Sequence, residues 1–238
     1  MPQLPGFPPL DITLRRSARA KRFSLRVSRL DGRVTLSMPL RAREAEALRF
    51  AAEQEGWIRK TLAQMPGRRV VSLGDVVPVE GQMRRLVQGA GRSVRLEGEQ
   101  LLVPGDPTQA GVRVGAFVKV LARDRLAAAC DRHAARLGRS YTRLTLRDTR
   151  SRWGSCAHDG ALMFSWRLIM APPPVLDYVA AHEVAHLVQM NHSPAFWAVV
   201  DRLFPRWQVQ RGWLHSEGQA LHGFVFGLQP HGMQTATD

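Results

Sequence analysis

His182-Glu183-Val184-Ala185-His186 sets two imidazoles four positions apart, with a carboxylate directly after the first. On an α-helix, positions i and i+4 share one face, about 6 Å apart along the axis. Two neutral imidazoles at that spacing bind one metal ion from the same side, and imidazole suits zinc. Glu183 lies between them, close enough to take a proton from a water on the ion without ligating it. A third histidine, His192, follows in Asn191-His192-Ser193. Catalytic zinc usually has three protein ligands and one open position for water. The pattern implies one Zn2+ per chain, held by His182, His186 and His192, and hydrolysis by a metal-activated water with Glu183 as general base.

Two helices must position these side chains. Pro172-Pro173-Pro174 suits a helix start, because proline is tolerated in a first turn and not deeper. Val175, Tyr178, Val179, Val184, Leu187 and Val188 form a broad apolar stripe for burial. Ser193-Pro194 reads as the N-cap and first residue of a second helix running to about Phe204. His192 then sits in the bend between them, where the chain can turn back toward the ion. Asp201 is a candidate hydrogen-bond acceptor for a ligand imidazole.

Upstream, Leu144 and Leu146 alternate with polar residues as a strand, and Ala161 to Trp166 read as another. Between them lies Arg150-Ser151-Arg152-Trp153-Gly154-Ser155-Cys156. In zinc peptidases a strand beside the metal often pairs with an extended substrate, and this stretch suits that strand or its rim. An ordinary hairpin with a glycine at a bulge fits it equally well. Arg152, Trp153 and Tyr178 are candidate contacts to substrate or transition state, Arg152 or Tyr178 as the oxyanion donor; Tyr178 also fits a core position. Cys156 reads as a buried or edge thiol, or else as a fourth zinc ligand closing the site. Cys130 reads as a small core residue, and His215, His222 and His231 as surface histidines.

The remaining chain predicts an α+β fold. Residues 1–10 are proline-rich and read as a flexible tail. Ile12 and Leu14, then Phe23, Leu25 and Val27, then Val34, Leu36 and Met38 read as three short strands, the last two joined by Asp31-Gly32, a hairpin signal. The basic run Arg15-Arg16, Arg19, Lys21-Arg22 reads as a solvated rim. Arg41 to about Gln64 predicts one long helix with Ala47, Leu48, Ala51, Trp57, Ile58 and Leu62 buried. Short strands over 70–104 predict a small antiparallel sheet, and Gly105-Asp106-Pro107 a boundary. A second long helix spans about Gln109 to Leu137, and a last short one Arg206-Trp207 to about Glu217. The expected organisation is a β-rich part with one long helix over 11–105, a mixed helix-and-strand part carrying the metal helix over 106–218, and a flexible tail over 219–238.

A chain of 238 residues with 45% hydrophobic and 23% charged residues has ample core for one large or two small domains. No apolar run approaches the roughly 20 residues needed to span a bilayer, and the first residues lack the basic and apolar regions of a signal peptide. Two cysteines make no disulfide framework. Together these predict a cytoplasmic protein without membrane partners. The net charge of +14 is carried mostly by arginine spread along the chain, with lysine only at Lys21, Lys60 and Lys119. It allows non-specific nucleic-acid contact. Two functions follow: a zinc peptidase with a peptide or protein substrate, or a nucleic-acid-associated protein with a structural zinc site closed by Cys156. A peptidase acting on DNA-bound proteins combines them.

Arg152-Trp153-Gly154-Ser155-Cys156, Asp177-Tyr178, His182-Glu183-Val184-Ala185-His186, and Asn191-His192-Ser193 with Phe196-Trp197 resemble the YgjP-like metallopeptidase family of metal-dependent hydrolases. The arginine-rich early hairpin and Trp57-Ile58 also look like that family's N-terminal part. The resemblance covers roughly residues 11–215. Its active helix is similar to those of SprT-like and other zincin peptidases, which implies a zincin-like mixed α/β metallopeptidase part. It also implies His182, His186 and His192 as zinc ligands and Glu183 as catalytic base. It supplies no substrate. The ligand spacing equals that of metzincins, but Gln189 stands where those have glycine, and no Met-turn follows.

Overall fold

Alternating apolar residues near the start fold as strands, as their period of two requires. The computed structural model describes residues 3–4, 9–28, 32–63, 67 and 69–227. The chain divides into two units, Met1–Gly67 and Arg68–Asp238. The division falls at 67/68, whereas the sequence pointed to 105/106. The strands on one side of Gly105 share a single core with the helix on the other, so no unit ends there.

The first unit has strands β1 (Gln3–Leu4), β2 (Leu10–Ser17), β3 (Ser24–Val27) and β4 (Val34–Pro39), in the order β1-β2-β4-β3. β3 and β4 form the expected antiparallel hairpin; of its turn, Gly32 has φ +70° and Asp31 lies outside the described residues. β2 runs parallel to β4. Ile12, Val34, Leu36 and Met38 bury against Ala47, Ala51 and Ile58. The helix expected over 41–64 is two: α1 (Glu44–Glu53) and α2 (Glu55–Ala63). At Gln54 the backbone N–H turns to the Ala51 and Ala52 carbonyls, closing α1. Ile58 keeps the face of Ala47 and Ala51 and is buried, while Trp57, expected inside, lies about 80° off that face and is 48% exposed.

The second unit opens with β5 (Arg69–Val70), β6 (Val76–Val79), β7 (Gln82–Gln88), β8 (Arg95–Glu97) and β9 (Gln100–Val103). The last four form a sheet in the order β6-β7-β9-β8. It is mixed rather than antiparallel, because β9 runs parallel to β7. Asp106 accepts from Thr108 N–H to start a 3-10 turn, which leads into α3 (Ala110–Leu137). α3 ends at Gly138, at φ 62°. Its face of Val114, Val118, Ala122, Leu126, Ala129 and Cys130 is fully buried. Near its start the chain passes too close for side chains: a Cβ on Gly111 would stand 2.4 Å from the Val71 carbonyl, and one on Gly115 2.8 Å from Phe226.

Beyond α3 come β10 (Arg143–Arg147), β11 (Gly154–Cys156) and β12 (Ala161–Ser165), in the order β10-β12-β11. β10 is parallel to β12 and β11 antiparallel to it, leaving β11 on an edge. A 3-10 turn at Trp166–Met170 leads to α4 (Pro173–Ala185), α5 (Pro194–Leu203) and α6 (Trp207–Ser216). No helix among the described residues is long and apolar enough to cross a membrane.

Residues 219–238 were expected as a tail, yet the described part, 219–227, is built in. Gly218–Gly223 form a 3-10 turn, and β13 (Phe224–Val225) pairs in parallel with β5. Leu221 joins the core with Phe224 and Phe226 packed against it, and a distant arginine anchors the segment. Arg167, 7% exposed, donates Nη1–H to the Leu221 and Phe224 carbonyls at 2.8 and 3.0 Å. Its Nε and Nη2 hold both oxygens of Asp148 at 2.6 and 3.0 Å. Removing one member of such a network leaves its partners unpaired. Arg167→Gln is expected to lower unfolding free energy by about 2–3 kcal/mol and to open the chain near 218–225 to proteolysis. Unchanged denaturation and cleavage patterns would refute the anchor.

Candidate metal centre

α4 starts on Pro173 and Pro174, whose fixed φ suits a first turn. Nearly every side chain after them is buried, including Val175, Leu176, Val179, Ala180 and Val184. The helix is therefore enclosed by protein, and its polar residues are drawn into the interior with it: Glu183 is 6% and His186 8% exposed. After Ala185 the coil tightens, with His186, Leu187 and Val188 N–H groups reaching back three residues. This brings the Gln189 carbonyl to 2.9 Å from His186 Nδ1. Nδ1 donates there, so Nε2 keeps its lone pair free. Ser193 then accepts from Phe196 N–H and caps α5 as expected.

These turns bring the three predicted histidines together. The ligand atoms of His182, His186 and His192 lie within 4.8 Å of one another. His182 Nε2 and His192 Nε2 are 3.1 Å apart. Donors at ordinary zinc–nitrogen distances around one tetrahedral ion stand about 3.3 Å apart, so the set fits a single such ion. Phe196, fully buried, supplies the floor: it stacks on His186 at 4.4 Å and meets His182 and His192 edge-on at 4.9 and 4.8 Å. His182 Nδ1 has no hydrogen-bond partner among the described residues, so packing against Phe196, Trp197 and Tyr178 fixes that ring. Cys156 is outside the group; its thiol points to the Ala157 carbonyl at 3.5 Å, and burial, with Glu183 nearby, pushes it up to about 11. Asp201 is exposed on α5, and the acceptor for the His186 imidazole is the Gln189 carbonyl.

The Trp-Gly-Ser-Cys stretch is the strand β11, and it crosses directly over Glu183. A Cβ at Gly154 would stand 2.6 Å from both Cγ and Oε1 of Glu183. Only glycine lets the backbone lie against that carboxyl. Arg152 is exposed, and its charge acts on Glu183. Trp153 is half-buried: its ring stacks on His222 at 5.2 Å and would meet a Cβ on Gly218 at 2.9 Å, while its carbonyl accepts from Ser165 N–H at 2.8 Å. His222 is thus a packed residue, not a surface one, and burial lowers it to about 4. Of the other spare histidines, His215 is exposed and His231 lies outside the described residues. Tyr178 is 4% exposed and stacks on Trp207. A cavity of about 440 Å³ beside His186 reaches Arg139, His158, Val188 and Met190.

Sequence reasoning missed three supports. Phe196 stood in the Phe196-Trp197 motif without a role, and its place under the imidazoles is set by the turn before α5. His133, buried on α3, sits 2.9 Å from Asp177 on α4, and Arg132 3.1 Å from the same oxygen. Burial alone would raise Asp177, but these partners hold it below the usual carboxylate range. Arg211 lies over the faces of Trp197 and Trp207.

Burial shapes the charges. It lowers His182 to about 3, helped by the neighbouring imidazoles and Arg211, and it lowers His186 against the pull of Gln189. Both are held neutral, the form that ligates metal. Burial pushes Glu183 up to about 8, with Arg152 opposing. A raised carboxyl binds its proton more tightly when folded, so stability is lost as pH rises from about 4.5 through about 8. The metal-free Glu183→Gln protein is therefore expected to be more stable than the metal-free parent at pH 8, by an amount on the order of a few kcal/mol. The gap should vanish below pH 4.5. A gap independent of pH would show that Glu183 is not the buried acid described.

Against known proteins, the model of the YgjP-like metallopeptidase domain matches residues 21–217. No curated protein matches the chain. Among solved structures it is similar to the metallopeptidase zymogen abylysin of Pyrococcus abyssi, at 19% identity and a TM-score of 0.35, over 39% of this chain and 95% of that one. The family match begins inside the first unit and ends past α6, with β11, α4 and the three histidines within its span, so the chain belongs to the YgjP-like metallopeptidase family and is a metal-dependent hydrolase.

Proposed function

We propose that this metal-dependent peptidase is a zinc enzyme with His182, His186 and His192 as ligands and Glu183 as general base. The observation that carries the reading is the convergence of three imidazoles within 4.8 Å beside a buried carboxyl on the same helix. The donor set, three nitrogens without thiolate or carboxylate, suits zinc with an open position. A bound zinc ion supplies Lewis acidity, which acidifies water and polarises a carbonyl. The chain's own residues do the rest. Gln189 fixes the tautomer of His186. Glu183, desolvated against Gly154, has its carboxyl pushed up to about 8, and a cation bound beside it would bring that down toward neutrality. It takes the proton of the attacking water and delivers it to the leaving amine nitrogen.

The free edge of β11 can pair with an extended peptide, which sets the scissile carbonyl by main-chain hydrogen bonds rather than by side-chain identity. Arg152, exposed beside that edge, is the better oxyanion contact; Tyr178 is enclosed by Trp207 and Phe204 and supports His182 instead. Trp153 positions β11 through His222 and Gly218. The cysteines are unpaired, which supports a cytoplasmic site of action.

Three variants separate binding from chemistry, with zinc content and hydrolysis of a denatured protein measured on each. Glu183→Gln should keep about one zinc per chain and lose roughly 10²–10⁴ in rate. His192→Ala should lose most of its zinc. Gly154→Ala should keep zinc and slow hydrolysis by roughly a hundredfold, because its methyl displaces the base. Full activity in Glu183→Gln sinks the base, and zinc retained in His192→Ala sinks the ligand set.

A further inference from the structure

The sheet β10-β12-β11 has two unlike faces. Leu162 and Phe164 bury the inner one, where Gly154 meets Glu183. On the outer face, Arg143, Thr145 and Arg147 of β10 are exposed at alternate positions. Met163 pairs with both Thr145 and Ser155, so all three share that face. A groove of about 420 Å³ runs across it from Arg143 and Arg147 to Arg152, at the start of β11. Its lining contains no carboxylate and no aromatic ring. Asp159 approaches Arg143 at 3.5 Å from outside the lining, and both are well exposed.

Three cations in a groove without acids attract an anionic ligand. Grooves for single-stranded nucleic acid add aromatic rings on which bases stack, and none lines this one. Hydroxyl and guanidinium donors hold carboxylates as they hold phosphates, and without rings to stack bases the groove favours the carboxylates of a polypeptide. The groove also opens beside the edge where the substrate strand is proposed to pair. We infer that the outer face of this sheet is an exosite for an acidic segment of the polypeptide substrate, next to the residues that pair with β11. This rests on the reading of β11 as the substrate strand. A chain paired with that edge lies about 14 Å from β10, three strand spacings away. About four extended residues cover that distance, so the acidic segment sits roughly four residues from the paired stretch.

The test uses the full chain loaded with zinc and two fluorescent peptides, identical in a neutral extended half. One continues into a run of Glu, the other into Gln. Anisotropy gives binding to the Glu183→Gln protein, and cleavage is followed with the parent. The Glu peptide is expected to bind roughly tenfold tighter at low salt, with the gap closing at high salt. R143E/R147E should abolish the gap while leaving the Gln peptide unaffected, and Arg147→Gln alone should narrow it. Equal affinity for the two peptides overturns the exosite, as does a gap that survives in R143E/R147E. So does oligothymidylate binding the groove more tightly than the Glu peptide. Cleavage of both peptides without a gap removes the exosite and leaves the peptidase standing. A gap without cleavage of either peptide leaves a site for acidic peptides and overturns its reading as a substrate exosite.

Discussion

The contact on which this centre depends is the carboxyl of Glu183 against the backbone of Gly154. A close approach of 2.6 Å to a virtual Cβ means that β11 lies directly on α4 at this point. Such packing excludes water, and exclusion of water raises the proton affinity of a carboxyl. The same enclosure lowers the proton affinity of His182 and His186. One packing constraint therefore sets both geometry and protonation: neutral imidazoles ready to ligate, and a carboxyl near neutrality beside them. A side chain at position 154 would disturb both at once.

Holding β11 against α4 requires support from elsewhere in the unit. Trp153 is clamped between His222 and Gly218, and these belong to the segment that Arg167 secures through two backbone carbonyls. The strand over the base is thus tied to the last described residues of the chain. α4 is braced from its other side by His133 and Arg132 on Asp177. The stacked rings of Tyr178, Trp207 and Trp197 close the flank nearest His182. Rigid packing of this kind keeps ligand rings in place without a hydrogen bond to each one, as His182 Nδ1 shows.

Local patterns in the sequence were legible where local physics decides the outcome. The spacing of His182 and His186, the Ser193-Pro194 cap and the end of the long helix near Leu137 each depend on a few adjacent residues, and the structure has all three. What was illegible depends on residues far apart. Alternation marks a strand but not its partner, so the parallel pairings of β2 with β4 and β7 with β9 were hidden. The break at Gln54 turns on one residue between two helical stretches, and Trp57 is exposed because it lies off the face shared by Ala47, Ala51 and Ile58. After Gly218, Leu221, Phe224 and Phe226 were an apolar signal of order that was passed over, while the cation that anchors the segment, Arg167, lies far upstream. The boundary near Gly105 failed for a related reason: a turn signal marks where the chain bends, not where a core ends.

Strand alternation carries one last consequence. Successive residues of a strand face opposite sides, and a slip of one residue exchanges the two sets. Along β11, Gly154 and Cys156 face the dry interior and Ser155 faces the basic groove. A peptide laid on the free edge inherits the same division. Its inward side chains meet apolar packing and the imidazoles, and its outward ones meet guanidinium groups. A carboxylate turned inward would be desolvated beside Glu183, which costs far more than an exposed contact gains. On the proposed pairing, the sheet would therefore reject the wrong register of an acidic chain more strongly than it would reward the right one. Selectivity of that kind needs no shaped pocket, only two faces of opposite polarity divided by one edge strand.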